Sequence, residues 1–68
     1  MAIPMYSCVK LTNDRFAAEG AREGMLGYVI EAWPDGTYDV EFSDPRDGRT
    51  IAQIVANESD VVVVPDEP

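Results

Sequence analysis

Thirteen carboxylates in a chain of 68 residues are the first chemistry to weigh. Asp39 and Glu41 stand two apart in the alternating run Thr37-Tyr38-Asp39-Val40-Glu41-Phe42, so on a strand both leave the same face. Two neighbouring carboxylates are the minimum for acid–base work, because one can hold a proton while the other stays charged. They catalyse only where a pocket desolvates one of them beside a nucleophile or a metal. A chain this small offers little of either, and the pair reads as a solvated face. Asp44-Pro45-Arg46-Asp47-Gly48 has the composition of a calcium loop, but it lacks the alternating ligands and the closing Glu, so it reads as a turn. Gly24-Met25-Leu26-Gly27, beside Glu23, is too short and too acidic to cradle a phosphate. Cys8 is single and the chain has no histidine to activate it, which excludes Cys/His zinc sites and an internal disulfide. No catalytic residue, metal ligand or cofactor is expected.

Recognition chemistry is better represented. Trp33 ends a strand-like run just before Pro34, where a large ring is often left half exposed. With Tyr6 or Tyr28 nearby it is a candidate contact anchor; the alternative is that it caps one end of the core. Asp35, Asp39, Glu41, Asp44 and Asp47 gather around two turns and supply charge. Trp33, Asp35, Asp39, Glu41, Asp44 and Asp47 are therefore the expected partner-binding residues.

Those residues need strands to hold them. Cys8 to Thr12 alternates with Val9 and Leu11 on one side, a first strand. Thr12 to Gly24 loses that period, and Gly20 interrupts any helix longer than a turn, so the span reads as a long loop pinned by Phe16. Tyr28 to Trp33 is rich in aromatic and β-branched residues, a second strand. Asp35-Gly36 after Pro34 is a hairpin signal, because Gly accepts the positive φ that the turn demands. In the third strand Tyr38, Val40 and Phe42 point inward. Ser43 to Arg49 is a second turn leading to a strand at Thr50 to Val55. Ala56 to Asp60 has the character of a short helical or 3₁₀ turn. Val61-Val62-Val63-Val64 then forms a last strand, covered on both sides if its run is continuous core, with Asp60 and Asp66 as gatekeepers.

Five short strands, a long first loop, two tight turns and a helical turn before the last strand describe a small all-β, SH3-like antiparallel barrel. Closure would bury Val9, Leu11, Tyr28, Ile30, Val40, Phe42 and Ile54 around one centre. Residues 1–68 make one domain, with 65–68 as a short acidic tail.

Five basic residues against 13 acidic give a net charge of -8. Nucleic-acid binding draws on Lys and Arg that release counterions, so neither nucleic acid nor an anionic membrane is an expected partner. The start carries no basic region followed by a long apolar one, and no run nears the roughly 20 apolar residues of a membrane span. A cytoplasmic location is expected, and the single cysteine agrees with a reducing compartment.

Val9-Lys10-Leu11-Thr12, Gly24-Met25-Leu26-Gly27-Tyr28-Val29-Ile30-Glu31, Asp35-Gly36-Thr37-Tyr38-Asp39-Val40-Glu41-Phe42 and Thr50-Ile51-Ala52 together resemble the small bacterial domain of unknown function 4926. The likeness covers most of the chain. Its Gly-x-x-Gly-x-Val and Tyr-x-Val-Glu-Phe pieces are also similar to SH3-like barrels that serve as small subunits of larger enzymes. The resemblance implies a stand-alone protein-binding chain, an antitoxin or immunity partner of a toxin-like neighbour, and supplies no catalytic residue. The expected function is thus a non-enzymatic acidic module that covers a basic surface of another protein. An accessory subunit or adaptor of an enzyme complex is the alternative, and a homodimer through an edge strand is a further expectation.

Overall fold

The computed structural model describes residues 3–65, so the acidic tail expected at 65–68 lies, except for Pro65, outside the described residues. Five strands follow one another: β1 Cys8–Leu11, β2 Leu26–Ala32, β3 Thr37–Ser43, β4 Thr50–Asn57 and β5 Val61–Val63. Two 3₁₀ turns interrupt them, Ala17–Glu19 in the first loop and Glu58–Asp60 before β5. All pairings are antiparallel and the order across the sheet is β4-β3-β2-β1-β5. The all-β reading and the five strands therefore hold. The sheet is not closed by hydrogen bonds: β4 and β5 are its two edges.

Val9 and Leu11 of β1, Val40 and Phe42 of β3, Ile54 of β4 and Val61 of β5 are nonetheless buried in one cluster. Among the described residues no second sheet and no long helix lies over that face, so the sheet can bury it only by curling. The bend has visible causes. A bulge between Val29 and Glu31 shifts the β2–β3 register, and a second one shifts β3–β4 beside Phe42 and Ser43. Phe16 closes the core from the first loop, as its position in an otherwise aperiodic stretch led us to expect, and Ala21 packs in beside it.

The phase of β2 is the main correction. Tyr28 was expected inside but is 54% exposed, and Ile30 is only half buried. Gly27 and Val29 face the core in their place. The reason lies across the ladder. A Cβ on Gly27 would stand 2.7 Å from the Glu41 carbonyl oxygen and 2.8 Å from the Phe42 ring, so Phe42 occupies the volume that a side chain at 27 would fill. With Gly27 inward, Tyr28 has to face water. The valine run is corrected as well: Val61 is buried, whereas Val62 and Val63 are about half exposed, because β5 is a three-residue edge strand.

The expected β2–β3 turn is present. The Gly36 amide donates to the Trp33 carbonyl (3.1 Å) and the Trp33 amide to Thr37 (2.9 Å), with Gly36 at φ 90°. Pro34 sits where its fixed φ suits the turn and its missing N–H costs nothing.

Candidate functional site

On an antiparallel pair, residues directly opposite share a face, so the register places the sequence candidates. Tyr28 opposes Glu41, which opposes Gln53 on the other side; Glu31 opposes Asp39, which opposes Val55. These two rows lie on the outer face of the β2–β3–β4 part of the sheet. Trp33 joins them, donating from its indole Nε1 to Asp39 Oδ1 at 3.0 Å. That contact orients the ring beside the strands while leaving it 46% exposed. Tyr28 at 54% and Val55 at 57% exposure complete an apolar surface. Three carboxylates, Glu31, Asp39 and Glu41, are interleaved with it, and neither row contains a cation.

The six sequence candidates do not form one patch. Trp33, Asp35, Asp39 and Glu41 belong to the face just described or to its rim. Asp44 and Asp47 lie in the β3–β4 turn, beyond the other end of the seven-residue β3 and so roughly 20 Å from Asp35 at the strand's rise per residue. Their charge is also largely spent within the turn. Asp44 accepts from the Arg46 amide (2.8 Å), Nε (3.2 Å) and Nη2 (3.0 Å), and Asp47 accepts from the Arg49 amide (2.9 Å) and faces its guanidinium at 3.9 Å. The Arg46 side chain, followed by its amide, holds the Asp44 carboxyl below the usual carboxylate range. Asp35 is lowered likewise, first by the Thr37 hydroxyl (2.6 Å) and then by the Thr37 amide (3.0 Å). Glu41 accepts from the Thr50 hydroxyl at 2.8 Å. Glu31 was missed at the sequence level. Counting outward from the Trp33–Thr37 closure of the hairpin would have found it, since the second pair beyond that closure is Glu31 with Asp39.

One further carboxylate is placed for structure. Asp60 is 4% exposed and accepts from Arg15 Nε (2.9 Å) and Nη2 (2.8 Å), Asn13 Nδ2 (3.0 Å) and the Asn57 amide (2.9 Å). The Arg15 hydrogen bonds, above all, drive its carboxyl far below the usual range, against the burial that would raise it. Asn57 and Asp60 form a capping box around the 3₁₀ turn, and Arg15 reaches across from the first loop with its guanidinium 4.4 Å from the Phe16 ring centre. Asp60 thus ties the long loop to the turn before β5. The pattern Asn57-x-x-Asp60 was the available sequence signal.

The two edges differ. Along β5 the amides of Val62 and Val64 turn toward β1, and the Val64 amide donates to the Cys8 carbonyl (2.9 Å). Val61, Val63 and Pro65 therefore turn outward. The Val61 amide already donates to the Glu58 carbonyl and Pro65 has no N–H, so among the described residues Val63 is the one outward donor of that edge. Along β4 the Ala52, Ile54 and Ala56 amides face β3, which turns those of Gln53, Val55 and Asn57 outward.

A depression of about 290 Å³ at the opposite end of the sheet is lined by Met25, Leu26, Ser43, Pro45 and Ile51. It holds no ionisable side chain, hence no acid–base chemistry. Among the described residues no three carboxylate or thiol side chains come together as a metal site, and no helix is long and apolar enough to cross a membrane. No family model, no curated protein and no solved structure matches this chain.

Proposed function

We propose that the chain is a non-enzymatic protein-binding module that presses the outer face of its β2–β3–β4 sheet against a basic surface of a partner protein. The observation that carries this reading is the mixture on that face: Tyr28, Trp33 and Val55 stand exposed among Glu31, Asp39 and Glu41, with no cation in their rows. Aromatic rings contribute most of the energy at interface centres, and surrounding charge selects and steers the partner. Asp39 does both, fixing the indole through one oxygen and contributing charge.

The finer architectural reading is an SH3-like barrel. The strand order, the long loop after β1, the bulged β2 and the 3₁₀ turn before β5 support it. The finer functional reading is an antitoxin or immunity-type protein of the cytoplasm that masks a toxin's basic cleft. It stands on the resemblance to domain of unknown function 4926.

The test is capture from the native cell on immobilised wild type and on the Trp33→Ala/Asp39→Asn double variant, followed by association kinetics with whatever the wild type retains. A partner held by wild type and lost by the variant, associating at least tenfold more slowly as salt rises, supports the reading. Identical capture by both proteins, or a rate indifferent to salt, would overturn it. Co-expression with the adjacent gene product then separates neutralisation, in which a lethal protein becomes tolerated, from an adaptor role, in which it is harmless alone.

A further inference from the structure

We infer that the free edge of β4 is a self-association surface, on which a second copy of this chain pairs antiparallel through Gln53 and Val55. The inference is independent of the outer-face reading above.

An edge strand displays unpaired N–H and C=O groups, and proteins blunt it with charge, proline, shortness or a covering segment. Here one edge is blunted and the other is not. β5 has three residues and runs into Pro65, with one outward donor. β4 has eight residues, Thr50-Ile51-Ala52-Gln53-Ile54-Val55-Ala56-Asn57, with neither a charged residue nor a proline. In a chain that is 26% charged, such a stretch on an edge is conspicuous. The first loop covers only its start, where Gly20 approaches Ile51 and Ala52, and the Asn57 amide is taken by Asp60. Between them Gln53 and Val55 each present an N–H and a C=O, and among the described residues no loop backbone bonds to either.

Self-pairing fits this window. Setting Gln53 of one copy against Val55 of the other, and the reverse, makes both of them hydrogen-bonded pairs about a two-fold axis at Ile54. The antiparallel arrangement sets the β3–β4 turn of each copy, where Arg46 and Arg49 are matched by Asp44 and Asp47, beyond the end of its mate's β4, so the paired window itself is uncharged and that flanking turn brings no net charge to it. Two five-stranded sheets would then run on as one. Each copy carries a net charge of -8, so association of two copies should strengthen with salt, opposite to the binding of a basic partner.

The test uses the whole chain, made by chemical synthesis, with light scattering on a sizing column over rising concentration. Wild type should climb from 7.5 kDa toward twice that mass. An N-methyl group on the Val55 amide removes one outward donor without changing the side chain or the β3 ladder, and should weaken association at least tenfold. The same group on Val63, the outward donor of β5, should leave association unchanged. If the Val55 derivative loses its circular dichroism signature, the Gln53 derivative decides in its place. A wild type that stays monomeric up to millimolar concentration overturns the inference, as does a dimer lost on methylating Val63 or untouched by methylating Val55 and Gln53. A monomer that instead takes up extended peptides along β4 would also overturn self-pairing.

Discussion

Replacing Gly27 with alanine adds one methyl group at the tightest approach in the sheet. That methyl would meet the Glu41 carbonyl oxygen at 2.7 Å and the Phe42 ring at 2.8 Å, whereas ordinary contact begins near 3.4 Å, so β2 and β3 must part by roughly 0.7 Å. Their ladder cannot yield that much without loss, because strands held by backbone hydrogen bonds keep a spacing of roughly 4.8 Å. Overpacking of this kind costs about 1–3 kcal/mol, and the alanine recovers about 0.5–1 kcal/mol through a less flexible unfolded chain. The closest atom is backbone and cannot swing aside, which puts the overpacking cost in the upper part of that range and the expected net loss at about 1–2 kcal/mol. A single small core supplies about 3–5 kcal/mol in all, so much of the stability goes. At roughly 4–8 °C per kcal/mol for a domain of this size, the thermal midpoint should fall by roughly 5–15 °C. Circular dichroism melts and urea titrations measure it. A second variant locates the strain. Phe42→Leu destabilises the wild type by opening a cavity, but it should cost clearly less in the Gly27→Ala background, where the leucine vacates space that the methyl needs. A midpoint unchanged or raised by Gly27→Ala, or strict additivity with Phe42→Leu, would refute the argument.

Asp60→Ala should cost about 2–4 kcal/mol, since it strands the Asn57 amide and releases Arg15 and Asn13; a urea midpoint within error of wild type would sink that account. The same carboxyl sets an acid dependence. Its folded pKa lies below its unfolded value near 3.9, so its contribution is complete above about pH 4 and fades as the pH falls toward the folded value. The stability gap between wild type and Asp60→Ala should accordingly be constant from neutrality to about pH 5 and narrow below pH 4, whereas a gap that widens on acidification contradicts the sign. Asp39→Ala, which removes the oxygen that accepts from the indole, should release the Trp33 ring and alter its fluorescence at nearly unchanged stability, and an identical emission spectrum would mean that the indole contact does not orient it.

Much of the fold is legible in the residues because local rules suffice for it. Strict alternation in Thr37 to Ser43 marks the inner and outer faces of β3 without reference to any other strand. Asp35-Gly36 marks its turn, and the polar stretch before the valines marks the 3₁₀ turn. Phe16, a lone large apolar residue in an aperiodic stretch, reads as an anchor and is one. The phase of β2 does not follow from such rules. Leu26 to Ala32 offers apolar residues on both faces, and either phase satisfies the pattern until Phe42 takes the space above Gly27.

The candidate site divides in the same way. Trp33, Asp39 and Glu41 are marked by residue type and by the period of the strand, and they do stand together. Asp44 and Asp47 look equivalent to Asp35 in composition, yet they answer to Arg46 and Arg49 within their own turn. Local order along the chain determines which residues form strands and which turn the chain, because backbone sterics and side-chain alternation act over two to four residues. Which carboxylates share a surface, which valines stay wet and which edge is left bare are settled only when strands from distant parts of the chain pair in register. Those outcomes depend on volumes and hydrogen bonds that no single segment contains.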